Sequence, residues 1–289
     1  MASLLAPLFQ FQRFGEEGRL AREGALAAML IAGLPLAFFA VAGTMGREQR
    51  SGLAAMLFSK PVDSLDFCLS KVFAAVTAVV WWGWNQGCIL LLSTASAPRE
   101  VLASSGETLY TINRVAFLCG LAGIVLPLVA AALSNRWREK DFCLTFSLLL
   151  PLTLTLGIGV AYWAGCPIEW RLIPAALPIV SLLIGAVSWT VLVCSFLSGG
   201  VALCLFSVWL IMALLCGAIF PTAITNWLDL VLPDLSFCWL AEFLAHGGQI
   251  PCFYWLWPSA TLLAQAGLYT LAAVLVCRIK EPATHWGDA

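Results

Sequence analysis

The residues best suited to chemistry lie near the C-terminal end, in VLPDLSFCWLAEFLAHGGQIP at 231–251. Glu242 and His246 stand four residues apart, which on a helix sets both on one face, and Asp229 and Asp234 lie in the same segment. An imidazole beside carboxylates is the raw material of an acid–base or metal site. No second His stands at ligand spacing, so these residues read as capping and loop structure. Cys238 and Cys252 are available for a disulfide if they face an oxidising compartment, and the sequence, which carries no Cα separation, leaves that open. Asn85, Gln86 and Asn113 lie in or near apolar runs, where burial demands hydrogen-bond partners. Interhelical bonding and contact with a transported substrate both fit them. The chain has no G-x-x-x-x-G-K-S/T loop, no GxSxG, no HExxH and no pair of intramembrane Asp residues. An intramembrane enzyme is therefore an alternative that nothing supports strongly, and no cofactor or metal is expected to bind.

The elements that carry these residues follow from composition. Of 289 residues 61% are apolar and 11% charged, with a mean hydropathy of +0.93, where a soluble domain carries about 25% charge. The expected fold is all-α, a polytopic transmembrane helical bundle. The net charge of −1 gives no basis for a nucleic-acid or acidic partner. Most of the eleven cysteines sit inside apolar runs without a CxxC pair, and they read as small buried hydrophobes. The first apolar run, SLLAPLF, is short and is followed by mixed charge (Arg13, Glu16, Glu17, Arg19, Arg22, Glu23) instead of a cleavage site, so the N-terminus is expected to be retained. Residues 3–14 fit an interfacial helix or a disordered start.

A crossing helix needs about 20 apolar residues. Such runs occupy roughly residues 25–43, 72–94, 114–133, 142–164, 172–197, 200–220 and 258–277, giving about 6–7 spans. SFLSGG at 195–200 is either a tight turn between helices or a flexible point inside a longer pair. Positive charge is held on the cytoplasmic side. Placing 44–71 inside gathers Arg47, Arg50, Lys60 and Lys71, and alternation adds Arg136, Arg138 and Lys140 of NRWREK with Arg278 and Lys280 of the tail. The other side holds Arg99, Arg114, Arg171 and the three arginines of the N-terminal segment. Nine against six favours an extracytoplasmic N-terminus and a cytoplasmic C-terminus. Residues 1–289 thus read as one transmembrane domain, with an N-terminal segment 1–24, a cytoplasmic loop 44–71, an extracytoplasmic aromatic loop 221–257 and a cytoplasmic tail 278–289. NRWREKD reads as a positive-inside anchor, with contact to a cytoplasmic partner as the lesser option.

The aromatic loop has no Lys or Arg but holds Trp227, Trp239, Trp255 and Trp257 with Phe237, Phe243, Phe253 and Tyr254. Such rings settle at headgroup level. Short helices in the outer leaflet are expected, broken at Pro221, Pro233, Pro251 and Pro258. Simple anchoring and a vestibule that touches substrate both fit.

In REQRSGLAAMLFSKP at 47–61, Leu53, Met56 and Leu57 recur at helical spacing with Phe58 beside them, bracketed by Arg47, Glu48, Arg50 and Lys60. This predicts a short amphipathic helix at the membrane surface. After Pro61 a second helix is expected to start, with Asp63 as N-cap and Asp66 in the positive first turn, and to run through Lys71 into the next span. On these residues alone, Glu48 with Arg47 or Arg50 is a solvated helix end with weak ion pairs, and Gly52 is a close-packing position.

Glu48, Gly52, Ser59, Lys60, Pro61, Val62, Asp66, Phe67 and Lys71 resemble the cytoplasmic loop of ABC-2-type exporter permeases, which reads E-x-x-x-G/T, S-K/R-P-V-S-R and E-F-L-L-G-K. The chain departs from that pattern at Asp63 and Ser64, in place of Ser-Arg, and at Ser70, in place of Gly. Leu232, Pro233, Asp234, Leu235, Phe237, His246 and Gly247 resemble an element that precedes the last span in one branch of the family, and Arg278 falls where that span ends in basic residues. The stretch 95–171 matches less well. Relative to that branch the chain lacks the usual first span and adds a hairpin around NRWREK.

The resemblance implies one subunit of an export pathway in a prokaryotic inner membrane, paired with a second permease and bathed in membrane lipid. ATP and Mg would be bound by a separate cytoplasmic P-loop ATPase subunit. It implies a coupling loop made of Arg47, Glu48, Arg50, Gly52, Leu53, Met56, Leu57, Lys60, Pro61, Asp66, Phe67 and Lys71, and an extracytoplasmic element made of Pro233, Asp234, Phe237, His246 and Gly247. A non-transporting scaffold or assembly subunit derived from a permease is the alternative. The near absence of charge in the spans favours a lipid-like, hydrophobic or large cargo over a small ion.

Overall fold

The computed structural model describes residues 19–50, 64–97, 99–102, 108–197, 199–219, 232–233, 235–240 and 250–284. Each of the seven crossing-length apolar runs becomes a helix, as it must where no water is present to satisfy backbone N–H and C=O groups. The helices are α1 (Arg19–Arg50), α2 (Ser64–Ser96), α3 (Arg114–Arg138), α4 (Phe142–Trp163), α5 (Ile173–Phe196), α6 (Gly199–Ile219) and α7 (Cys252–Thr284). Among the described residues six are long and apolar enough to cross a membrane, and α6 contributes a shorter apolar stretch, Gly199–Leu215. The chain is a polytopic membrane protein whose candidate spans are all α-helical. SFLSGG is a turn, since α5 ends at Phe196 and α6 begins at Gly199.

Contacts divide the chain into two compact units. The first comprises Met1–Met29, Trp81–Ala176 and Ala241–Ile250, and its centre is the antiparallel pair α3 and α4. NRWREKD makes their turn: Glu139 takes a left-handed conformation (φ 53°) and donates its N–H to the Asn135 carbonyl, and the Asp141 carboxylate accepts from the Cys143 N–H at 2.9 Å. Arg136 and Arg138 lie in the last turn of α3, where cations suit the negative helix end. The buried stripe of α3 is Ala116, Gly120, Gly123, Pro127 and Ala131, and that of α4 is Pro151, Leu154, Ile158 and Ala161. Small residues let the backbones approach. A Cβ on Gly157 would lie 3.1 Å from the Cys119 carbonyl oxygen, and one on Gly123 would lie 2.8 Å from the Leu154 side chain.

Pro127 and Pro151 lie inside these helices, and each lacks the N–H that would bond the carbonyl four residues earlier. Both freed carbonyls are taken up across the helix interface. The Thr153 hydroxyl donates to the Gly123 carbonyl at 2.7 Å, the shortest of its three acceptor distances. The Trp81 indole N–H of α2 donates to the Ser147 carbonyl at 3.0 Å. One turn further along α2, the Trp84 N–H reaches the Thr155 hydroxyl at 3.2 Å.

Between α2 and α3 the chain forms a feature that hydropathy does not announce. Strands β1 (Arg99–Leu102) and β2 (Thr108–Thr111) pair antiparallel, with Arg99 opposite Thr111. Asn113 then caps α3, its carbonyl oxygen accepting from the Val115 and Ala116 N–H groups at 3.1 and 3.3 Å.

The second unit comprises Leu30–Val80, Leu177–Leu240 and Pro251–Ala289. Its most enclosed helix is α5, where Ile179, Leu182, Leu183, Val187 and Val191 are buried. Leu183 fills the space beside Gly33 of α1. A chain of aromatic rings links its helices: Phe38 to Phe206 (5.2 Å between centroids), Phe206 to Trp209 (5.7 Å), Trp209 to Trp189 (5.9 Å) and Trp189 to Tyr269 (5.2 Å). A 3-10 turn at Leu235–Cys238 packs on α6 and α7 and buries Leu235, Cys238 and Leu240.

Helix α7 begins at Cys252, inside the segment 221–257, and runs to Thr284, inside the segment 278–289. Pro258 therefore lies within a helix instead of breaking one, as membrane helices tolerate when neighbours meet the freed backbone groups. Phe253, Tyr254 and Trp257 at its start are exposed, as an aromatic belt requires.

A contact within this unit bears on how often the chain crosses. Cys68, at the start of α2, touches Cys277, near the end of α7, so an even number of crossings must separate them. The long spans α2, α3, α4, α5 and α7 number five. A crossing by the shorter α6, with its apolar stretch Gly199–Leu215, makes the number even. Cys143 and Cys252 are both exposed and are separated by α4, α5 and α6. A membrane-impermeant maleimide should label them from opposite faces of sealed vesicles; labelling from one face would show that α6 does not cross.

The proline-freed carbonyl gives a second test. Thr153→Val should lower stability in detergent by about 1 kcal/mol, and by close to nothing in a Pro127→Ala background, where the helix bond is restored. Equal losses in both backgrounds would mean that the Thr153 hydroxyl does not serve the Gly123 carbonyl.

Candidate functional site

Helix α1 continues to Arg50, so the backbone of Arg47, Glu48 and Arg50 belongs to its last turns. Gly52, Leu53, Met56, Leu57, Lys60, Pro61 and Asp63 lie outside the described residues, as do Asp234, His246 and Gly247. Pro233 is buried, and Phe237 belongs to the 3-10 turn on α6 and α7.

Helix α2 begins at Ser64, three residues after Pro61, with Asp66 exposed in its first turn, where a carboxylate suits the positive end. The Lys71 ammonium lies 5.5 Å from the centre of the Phe67 ring, one turn away. Such a cation–π contact contributes about 0.5–1 kcal/mol at an exposed site. Phe67 and Leu65 pack on Cys68, Val274 and Cys277. Phe67 of the predicted loop motif is thus seated on the C-terminal part of α7, with Lys71 held over its ring. Arg278 follows Cys277 and is exposed.

A second grouping escaped the sequence reading. In the first unit the Arg22 guanidinium, whose side chain is 9% exposed, lies 3.6 Å from Glu169 Oε2, and that of Arg171 lies 3.5 Å from the same oxygen. These separations are ionic contacts beyond hydrogen-bond length. Glu169 Oε2 is accordingly buried without a hydrogen bond. In the sequence, Arg22 and Arg171 are separate charges expected on one side of the membrane. The signal was present in the alternation of spans: α1 to α4 separate the two positions, and four crossings return the chain to the same face. The turn that carries Glu169 follows Gly165 at φ 76° and leads into a 3-10 turn at Trp170–Leu172, and the Tyr162 and Trp170 rings meet at 6.3 Å.

The third grouping is of uncharged polar atoms buried in the spans. Asn85 donates through Nδ2 to the Trp81 carbonyl at 2.9 Å, and its Oδ1 has no hydrogen-bond partner. Trp82 Nε1 in the first unit and Ser188 Oγ and Trp189 Nε1 in the second are likewise buried without one. A buried unpaired donor or acceptor costs roughly 1–3 kcal/mol, a cost that water or a polar group of a cargo molecule would relieve. Asn113, by contrast, is occupied as a cap and accepts from the Cys166 thiol at 3.5 Å. Cys238 and Cys252 are separate thiols, the first buried and the second exposed, so the disulfide left open by the sequence is not formed.

Among the described residues no group of three or more His, Cys, Asp or Glu is arranged to hold a metal ion. Helices of crossing length, broad lipid-facing apolar surfaces and an aromatic belt define the chain as a multi-pass helical membrane protein. No protein-family model matches it, and neither a curated protein nor a solved structure does.

The charge cluster makes a ranked prediction. Glu169→Gln leaves the buried Arg22 guanidinium without its counter-charge and should destabilise the detergent-solubilised protein by about 3 kcal/mol. Arg171→Gln alters a side chain that is 33% exposed and should cost about 1 kcal/mol or less. Thermal unfolding of both variants beside the parent measures the order, and a larger loss for Arg171→Gln would contradict it.

Proposed function

We propose that the chain is the membrane-spanning permease subunit of an ABC-2-type ABC transporter. It exports its cargo from a prokaryotic cell across the inner membrane, with ATP and Mg bound by a separate P-loop ATPase subunit and a second permease completing the pathway. The observation that carries this reading is the junction at the start of α2. The helix restarts at Ser64 after Ser-Lys-Pro, keeps Asp66 in its exposed first turn, and seats Phe67 on α7 beneath Lys71. The 13 residues 51–63 are thereby tethered between the last turn of α1 and the first turn of α2.

Mechanically, a load applied to that segment acts on the ends of α1 and α2 and, through Phe67 and Cys68, on α7. Closure of an ATPase dimer would tilt these helices between inward-open and outward-open states, a rigid-body transition driven by the difference in ATPase contact between the two. The Lys and Arg distribution supports a cytoplasmic position for this segment and for the C-terminus, and an extracytoplasmic N-terminus. The uncharged polar atoms in the spans, Ser188 Oγ and Trp189 Nε1 among them, favour a cargo with neutral polar groups and a large apolar body.

The test is reconstitution with the ATPase that co-purifies with the full chain. Glu48→Ala and Gly52→Leu are expected to leave expression and ATP hydrolysis in place while transport falls tenfold or more. Normal coupling in both variants would remove the loop from the mechanism, and absence of any co-purifying P-loop ATPase would favour the scaffold reading.

A further inference from the structure

The start of α2 and the end of α7 meet through two thiols. Cys68 is wholly buried and Cys277 is 7% exposed, and their Sγ atoms lie 3.1 Å apart. Cys68 Sγ also lies 3.9 Å from the Ala273 carbonyl oxygen, and Val274, Leu65 and Phe67 enclose the pair. A disulfide requires the sulfurs to approach to about 2.05 Å. The remaining gap between the sulfurs is about one ångström. The two positions are 209 residues apart in sequence, so a bond between them would enclose all of the chain from α2 into α7.

We propose that Cys68 and Cys277 form a reversible dithiol–disulfide pair, oxidised by small hydroperoxides, that ties α2 covalently to α7. One thiolate attacks an oxygen of the hydroperoxide; the O–O bond breaks, a sulfenic acid forms, and the remaining oxygen leaves as an alcohol, or as water from hydrogen peroxide. The second sulfur then attacks the sulfenic sulfur, and the hydroxyl leaves with the thiol proton as water. Two thiols lose two electrons and two protons, and the peroxide gains both. A small thiol reverses the bond in two exchange steps, the first giving a mixed disulfide and the second releasing the reduced pair. The proximity of the two sulfurs favours this outcome, because a sulfenic acid held against a second thiol is captured before it oxidises further. A small neutral peroxide reaches such a site where a charged oxidant does not.

The consequence for transport rests on the permease reading. The bond would hold the first turn of α2, next to the proposed coupling segment, against α7 and so arrest any cycle that needs the two to separate.

The experiment uses the purified full chain in detergent, treated with hydrogen peroxide or with dithiothreitol, alkylated, digested and examined by mass spectrometry. A linked peptide pair containing Cys68 and Cys277 is expected after peroxide, accounting for at least half of Cys68 and absent after dithiothreitol. In Cys277→Ser, Cys68 is expected to proceed to sulfinic or sulfonic acid instead of joining another cysteine. Recovery of both residues as alkylated thiols, or as separate sulfonic acids, under conditions that oxidise the exposed Cys143 and Cys252 would overturn the proposal. Thermal unfolding adds a second readout: peroxide should raise the Tm of the parent and leave that of Cys277→Ser unchanged, and an equal rise in both would count against the bond. In reconstituted vesicles, a linked protein that transports normally would sink the arrest while leaving the disulfide standing.

Discussion

In a bilayer a backbone carbonyl without its helical partner has no water to turn to, and much of the packing described above is arranged around that constraint. Four helices carry an internal proline, at Pro35, Pro127, Pro151 and Pro178, and α7 carries Pro258. In α3 and α4 the carbonyls released by Pro127 and Pro151 become acceptors for Thr153 and Trp81. A defect in one helix is thereby converted into a bond between two. Because lipid and Leu are equally apolar, there is little hydrophobic drive for helices to associate inside a membrane. Close approach over Gly123 and Gly157, together with these cross-helix donors, supplies what hydrophobicity cannot.

The same absence of water raises the stakes for charge. Two guanidiniums that share one carboxylate are tolerable in the Arg22, Glu169 and Arg171 cluster because the group lies at helix ends, where Trp170 and Tyr162 mark the interfacial zone. Buried ion pairs stabilise little in themselves, since desolvation offsets their attraction; what they do is make alternatives costly, because separating the partners strands a charge. Here that cost falls on any rearrangement that draws the start of α1 away from the α4–α5 turn.

The helices were legible from residue type alone because hydropathy over about 20 residues is a strong signal. Their ends were less so. Helix α1 runs past the apolar run to Arg50, and α7 starts six residues before Pro258, because a charged or proline-containing turn can remain helical once neighbours satisfy it. The 99–111 hairpin was missed because a four-residue strand such as TLYT is too short to register against a crossing-length window. Asn113 was read as a buried polar group in need of partners, and its neighbours Val115 and Ala116 supplied them locally. Cys68 and Cys277 were read as small buried hydrophobes; both are buried, but their proximity is a long-range fact that no local pattern contains. Arg22 and Glu169 belong to the same category, reachable only through the parity of crossings. The loop motif is the reverse case: its pattern is explicit in the sequence, and most of its residues fall outside the described part of the structure.

Helix α2 draws these threads together. It is unbroken from Ser64 to Ser96, and it is held at separate points by different physics. Near its start Phe67 packs on Val274 and Cys277 of α7, and the Cys68 thiol donates to the Ala273 carbonyl oxygen at 3.9 Å. Further along, Trp81 and Trp84 donate hydrogen bonds to Ser147 and Thr155 of α4, which are directional.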